Sequence, residues 1–361
     1  MTNARHFLVS LVLIGAETCA TVACTTARSA PSGGGKVGSN AARSPSNSVA
    51  PYQSPPSTSA IASGPVGNNA SPVSSAEASV KCPTINDEPE PGVECGDLNC
   101  LAFSSELAAF QHLLKSEPQV LGIGESHAPK GIEGVHSAAR RFGELLLPAL
   151  CGRAHSIVLE LWLPRNDCGD KRVEQVKKAQ EPVTRTQAKS NQDDYVTLGH
   201  VAKRLGIMPS ALVPTCDEYQ SILDAGPDGV DRMLELVGSR TGEKVVEELQ
   251  KSANQGEGPI VVAYGGALHN DAEPDSAHAR YSYGPRLLEQ TRGKYIELEL
   301  IVPEFVKDTD IWKRQPWYSA FKKAREPSKT KLYQFAPHSF ALVFAATTNA
   351  QHSQQSLKTQ P

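Results

Sequence analysis

The sequence has no basic stretch. Lysine and arginine total 36 against 39 aspartates and glutamates, for a formal charge of −3, and nothing sets basic residues among aromatics. A nucleic-acid partner therefore has little support. Long apolar runs are also missing. The one exception, Phe7 to Ala16, is about ten residues long and cannot cross ~30 Å of hydrocarbon as a helix. There is no Gly-x-Ser-x-Gly elbow, no P-loop, no His-Glu-x-x-His and no Cys-x-x-Cys-His, which sets aside the usual serine hydrolases, NTPases, zincins and covalent haem proteins. No Cys-x-x-Cys pair supports zinc, and no repeat of fixed period is visible.

What is present begins with export. Arg5 and His6 precede the short apolar run, which fits the h-region of a signal peptide. Small residues follow, ending Thr21-Val22-Ala23-Cys24. A cysteine directly after a small-residue site predicts lipoprotein processing, with residues 1–24 as leader and Cys24 as the acylated residue. Cleavage near Ala23 to a soluble secreted protein is the alternative. Residues 25–80 are Ser, Pro, Gly, Ala and Asn with hardly any large apolar side chain. Such a segment cannot offset its ordering entropy and is expected to be a disordered tether, reaching on the order of 40 Å r.m.s.. The expected location is the cell envelope, with a membrane partner reached through the lipid anchor.

Six cysteines remain beyond Cys19 and Cys24: Cys82, Cys95, Cys100, Cys151, Cys168 and Cys216. An even number in an oxidising compartment points to disulfides. Three of them lie in an acidic, proline-rich entry segment, 81–104, which needs a staple to stay on the domain. The connectivity is open from sequence.

Length alone suggests two domains, but composition removes one. About 250 residues are left, enough for one large α/β domain over 105–347, followed by a disordered tail, 348–361. The patterns predict a helix over 105–115 capped by Ser104 or Ser105, a strand over 119–123, and a helix from Gly131 to about Leu147. A strand over 156–162 comes next, then helices near 171–180 and 193–205. Ala211 to Thr215 reads as a strand, and two helices cover 230–237 and 243–251. Strands at 259–264, 294–302, 332–335 and 340–345 complete the pattern. Strands alternating with helices imply an α/β fold, a mostly parallel sheet with helices on both faces.

Ligands of open α/β sheets sit beyond the carboxyl ends of strands. After Val120-Leu121-Gly122-Ile123 comes Gly124-Glu125-Ser126-His127. After Ile260-Val261-Val262-Ala263-Tyr264 comes Gly265-Gly266-Ala267-Leu268-His269. Both strands deliver a Gly-x-x-His to one edge, where glycine permits a tight turn and close approach. Glu160 is a lone carboxylate in the apolar strand Ile157–Trp162, and burial without a partner would be costly. Glu125, His127, Glu160 and His269 are thus the candidate catalytic or metal-ligating residues. Asp217 and Glu218, after the Ala211 strand, are weaker candidates. His136, His155 and His200 read as incidental. Glu297 and Glu299 alternate along their strand and read as its exposed face.

In this order the three segments resemble the superfamily that unites ChaN-like haem-binding lipoproteins, erythromycin esterases and Tiki proteases. The resemblance covers roughly residues 105–302. It implies an α/β fold in which Glu125 and His127 match the first motif, Glu160 the second and His269 the third, all lining one cleft. The Gly-Glu-x-His spacing is similar to the ChaN branch. The erythromycin-esterase branch has one more residue between Glu and His, so macrolide hydrolysis is not implied. Residues 163–258 match nothing in the family, and its haem-contacting residues have no counterpart here.

Two functions of different class follow. In the first, the four residues hydrolyse an ester or amide of a small molecule or peptide. They either hold a divalent metal that activates water or use a histidine as general base. In the second, the same cleft binds haem or an iron compound, with Tyr281 and Tyr283 as candidate cofactor contacts.

Overall fold

The computed structural model describes Cys82 and residues 90–256, 259–324 and 328–347. The expected leader, Cys24, the tether and the tail lie outside the described residues. Nine strands form one sheet in the order β1-β2-β8-β9-β7-β3-β6-β4-β5. They are β1 (Val93–Glu94), β2 (Leu101–Phe103), β3 (Val120–Glu125), β4 (Ala154–Trp162), β5 (Met208–Leu212), β6 (Ile260–Gly266), β7 (Tyr295–Ile301), β8 (Thr330–Ala336) and β9 (Ser339–Val343). From β9 through β5 every pairing is parallel, and β1, β2 and β8 add an antiparallel extension. The sheet is thus mostly parallel, as the alternation of patterns predicted.

The central strands read as near-continuous apolar runs because both their faces are buried. Alternation then divides them. Leu121, Ile123, Ile157, Leu159, Val262 and Tyr264 enter one apolar cluster. Val120, Val158, Trp162, Val261, Ala263 and Tyr295 enter another. A third cluster, around Trp317 and Tyr333, packs at the antiparallel end.

The helices are α1 (Glu106–Leu113), α2 (Ala138–Arg141), α3 (Asp170–Thr184), α4 (Ser190–Arg204), α5 (Cys216–Asp224), α6 (Gly229–Gln255), α7 (Gly284–Gln290), α8 (Asp310–Lys313) and α9 (Tyr318–Lys323). Ser105 caps α1 by accepting from the Ala108 N–H at 3.2 Å, as its position predicted. The helix expected from Gly131 starts only at Ala138, where Ser137 caps it, and then runs through a π turn and a 3-10 turn to Leu150. Positive φ at Gly131 and Gly134 keeps the preceding stretch out of the helix.

Two other expectations are corrected. The helices read at 230–237 and 243–251 are one, α6. Gly238 lies inside it as a packing notch: a Cβ there would lie 2.2 Å from the Tyr281 carbonyl. The strand near Ala211 ends at Leu212, and α5 follows at once. Its start is a capping box between Thr215 and Glu218, a signature present in the sequence.

Three disulfides are present among the described residues. Cys82–Cys151 staples the entry segment to the domain, Cys95–Cys100 closes a local loop, and Cys168–Cys216 ties the start of α3 to the start of α5. They agree with an oxidising compartment. No described helix is long and apolar enough to cross a membrane.

Candidate functional site

β6 lies between β3 and β4, so three parallel strands deliver their carboxyl ends side by side. In register, Glu125 of β3 stands opposite Gly266 of β6, and Glu160 of β4 reaches the same point from the other flank. Its Oε2 accepts the Gly266 N–H at 2.7 Å. Glu160 follows the side-chain parity of Val158 and Trp162, whereas Glu125 follows that of Leu121 and Ile123. The two carboxylates therefore approach Gly266 from opposite parities of the sheet, and Glu160 feels the Glu125 charge.

Two adjacent glycines allow this. A Cβ on Gly265 would stand 2.4 Å from Glu160 Oε2 and 3.0 Å from Glu160 Cβ, so only glycine lets the carboxylate lie across β6. At Gly266 the Cβ would point into the cluster itself. Its place is 3.6 Å from Glu160 Oε2, 3.8 Å from His127 Nε2 and 3.9 Å from His269 Cδ2. The two Gly-x-x-His turns and the strand carboxylate thus border one small space, all within reach of a single small group. The exposures of Glu125, His127, Glu160 and His269 are 1, 0, 1 and 2%, so all four side chains are buried.

Each imidazole is held from behind. His269 Nδ1 lies 2.8 Å from the Tyr281 carbonyl. A carbonyl only accepts, so Nδ1 carries the proton and Nε2 offers a lone pair. Burial pushes the His269 pKa down to about 4, against a smaller opposing effect of that hydrogen bond, and the ring is neutral at neutral pH. Its Nε2 is 3.9 Å from Glu160 Oε1. His127 Nδ1 lies 2.6 Å from Glu125 Oε1, with angles outside hydrogen-bond geometry. Glu125 Oε2 accepts from the Tyr264 hydroxyl at 2.5 Å. His127 Nε2 and Glu160 Oε1 are buried without partners. Burial, more than the neighbouring Glu125 charge, raises the Glu160 pKa well above the usual carboxylate value, and the Gly266 N–H only partly offsets it. Glu160 is therefore biased towards its protonated form.

Other expected residues fall elsewhere. Asp217 is exposed, and Glu218 is spent on the α5 cap and on Arg240 at 2.5 Å; neither joins the cluster. His155 pairs with Glu248, and His136 contacts Glu144. Glu297 and Glu299 are not on an exposed face: they are 1 and 7% exposed, because β7 is covered on both sides. Glu297 Oε2 accepts from the Ala272 N–H and the Ser339 hydroxyl, and Glu299 Oε2 from Trp317 Nε1. Tyr281 and Tyr283 are buried at 6 and 3% and present no open phenol to a cofactor. Tyr281 serves through its backbone carbonyl.

A haem does not fit this arrangement, since none of the four side chains has a face open to a porphyrin. For a metal ion the donor chemistry is suitable, but no three of the four bring donor atoms within 4.8 Å of one another. The trio that does so among the described residues is Asp167, Cys168 and Cys216, and both its thiols are committed to a disulfide. A cleft of about 710 Å³ lies at the antiparallel end of the sheet, lined by residues including Leu98, Leu101, His112 and Phe340. It contains none of the four.

Sequence reading missed two tyrosines. Tyr264 reads as part of a strand, although a hydroxyl directly before the Gly-Gly turn is a signal. Tyr195 comes from α4, inside the stretch 163–258 that matches nothing in the family. Its ring stacks on His127 at 5.7 Å and 30° and meets Tyr264 edge-on at 5.4 Å. The same stretch also covers the first turn. Ala128 O accepts from the Ala188 N–H and from Asn191 Nδ2, and Lys130 N–H donates to Thr186 O.

Comparison with protein families, with curated proteins and with solved structures gave no match.

Proposed function

We propose that the strand-end cluster is a hydrolytic centre for an ester or amide, working by general acid–base chemistry. The observation that carries this is the paired orientation of the imidazoles: each Nδ1 is occupied from behind, and both rings border the space beside Gly266. His127 Nε2, free and backed by Glu125, takes a proton from water as the water attacks the acyl carbon. Glu125 then faces an imidazolium, which it stabilises as the buried acid of a triad does. Glu160, biased towards its protonated form, gives its proton to the leaving oxygen or nitrogen. A carboxyl biased towards its acid form beside an imidazole with an open Nε2 is the pattern of an acid and a base. His269 stays neutral and shapes the space from the other side.

A second reading is favoured by the unpartnered His127 Nε2 and Glu160 Oε1 together with neutral His269. These three would hold a divalent metal, whose contribution is to lower the pKa of bound water. A carbonyl or carboxylate behind each ligand histidine is the usual support of such a site. The wider spacing of the donors favours the metal-free reading.

Around this centre we read helices on both faces of the sheet and an exported chain anchored to a membrane through Cys24. The ligand is then a small molecule or peptide outside the cytoplasm. Haem or iron binding is the reading we set aside. The test is hydrolysis of p-nitrophenyl esters and fluorogenic peptides by the purified protein, with and without chelator. His127→Ala should lower kcat by about 10²–10⁴-fold, the range for general acid–base catalysis. Full activity in that variant overturns the proposal. Loss with chelator, restored by added metal, selects the second reading.

A further inference from the structure

We propose that Asn270 is a positioning residue: from the turn that carries His269 it bonds to β3, the strand that leads to Glu125 and His127, and so sets how the two histidine turns face each other. The role rests on the hydrolytic function proposed above. Asn270 follows His269 directly and is 0% exposed. Its Nδ2 donates to the Gly122 carbonyl at 3.0 Å. Its own carbonyl accepts from the hydroxyl of Tyr295, the first residue of β7. Since β3 lies between β6 and β7, one residue just beyond β6 is held both by the neighbouring strand and by the strand after that. A main-chain bond from Ala267 N–H to the Glu125 carbonyl, at 3.1 Å, ties the same two turns closer to the cluster.

The glycines of β3 show that this link has a place made for it. Gly122 and Gly124 lie inside the strand, and neither has a positive φ, so neither is there for a turn. They permit close approach. A Cβ on Gly124 would stand 2.4 Å from Asn270 Oδ1 and 2.7 Å from Ala267 Cα, and one on Gly122 would collide with the Tyr295 hydroxyl. Alternation puts both glycines on one face of β3, where they form a trough that receives the Asn270 amide and the Tyr295 phenol. Stability alone does not call for this arrangement. An apolar side chain could fill the same trough, and one buried hydrogen bond adds little net because folding exchanges it for bonds to water. What the amide adds is direction, since a hydrogen bond fixes distance and angle where an apolar contact can slide. Two side chains that act on one substrate need that precision: a misplacement of about 1 Å can cost about 100-fold in rate. The other contacts of His269 are with the segment that follows it. Tyr281 O stands behind the ring, and the Tyr283 N–H and Ser282 hydroxyl bond to its carbonyl. None of these reaches β3; the Asn270 side chain does.

The experiment compares wild type with Asn270→Leu, which fills the trough but has no donor, with Asn270→Ala, and with Tyr295→Phe, which removes only the bond to the Asn270 carbonyl. It measures thermal unfolding, kcat and KM on the best ester, and the reaction of each histidine with diethyl pyrocarbonate, read by mass spectrometry. In wild type His136 and His278, whose side chains are half exposed, should react fast and buried His269 slowly. Both Asn270 variants should lose about 10–100-fold in kcat with KM nearly unchanged. In both, His269 should react about tenfold faster as its turn comes away from β3. His155, buried near the start of β4, should react as in wild type. Tyr295→Phe should move both readouts in the same direction by less. Wild-type kcat, or wild-type reactivity at His269, in a folded Asn270 variant overturns the proposal. Faster reaction at His155 together with His269 also overturns it, because it reports general loosening. If neither Asn270 variant folds, Tyr295→Phe decides by the same readouts. If wild type hydrolyses nothing, the hydrolytic reading fails by itself and the histidine reactivities decide for Asn270: a selective rise at His269 supports the positioning role, and no rise overturns it.

Discussion

Glu297 and Glu299 allow a stability prediction with a definite sign. Burial, helped by the Glu299 charge, raises the Glu297 pKa from 4.5 to about 8, and burial raises that of Glu299 from 4.5 to about 7. Between the unfolded and folded values the native state holds protons that the unfolded chain has released. Stability must then fall as pH rises, and level off above the folded values. Below about pH 6.5 His269 works the other way: held neutral, it makes stability rise with pH until the unfolded histidine has lost its proton. The carboxylates are therefore best read from about pH 6.5 to about pH 8.5, where releasing their protons should cost about 2–3 kcal/mol in all, at about 1.4 kcal/mol per pH unit per proton. Glutamine mimics the protonated form. At position 297 its oxygen can still accept from Ala272 and Ser339, and at 299 from Trp317. The double variant Glu297→Gln, Glu299→Gln should remove that part of the fall, leaving the share due to buried Glu160, and exceed wild type by about 2 kcal/mol at the upper pH. Urea midpoints of the disulfide-intact protein measure both. A wild-type profile that is flat or rises over this range, or a double variant less stable than wild type at the upper pH, would refute the reasoning.

Three further outcomes follow from the geometry. Gly266→Ala should abolish hydrolysis while changing stability by no more than about 1 kcal/mol, because its Cβ makes only ordinary contacts inside the reacting space; Gly265→Ala, which collides with Glu160, should cost about 1–3 kcal/mol, and equal effects would contradict the assignment. Glu160→Gln, compared across pH in the same assay, should lower kcat strongly and remove one limb of the pH–rate profile; a profile identical to wild type would exclude it as the acid. Removing Cys168–Cys216, whose partners are 48 residues apart, should cost more than removing Cys95–Cys100, whose partners are 5 apart: about 4 against about 2 kcal/mol on the chain-entropy account, checked by thermal unfolding of the two double-alanine variants.

The parallel core was legible because β3, β4, β6 and β7 are short apolar runs with clear ends, and such runs have few competing arrangements. The meeting of Glu125, His127, Glu160 and His269 was legible for a related reason: each stands at a strand's carboxyl end, and neighbouring parallel strands put those ends together. Two things were hidden. Alternating glutamates in β7 look solvent-facing to any period-two reading, since the pattern records polarity and not what covers the strand. Tyr195 lies on α4, whose polar outer face and sparse apolar positions give no hint of which residue descends onto His127.

The staple between Cys82 and Cys151 fixes more than the entry segment. Cys151 lies just before β4 begins, at the amino-terminal pole of the parallel strands, whereas the cluster sits at their carboxyl ends. A pull on the chain upstream of Cys82 is thus delivered across the disulfide to that pole, bypassing the short strands β1 and β2. Those two would otherwise peel from the edge of the sheet one hydrogen bond at a time. The bridge turns a zipper into a shear joint, and a chain held from its N-terminal side would be gripped at one pole with the cluster at the other.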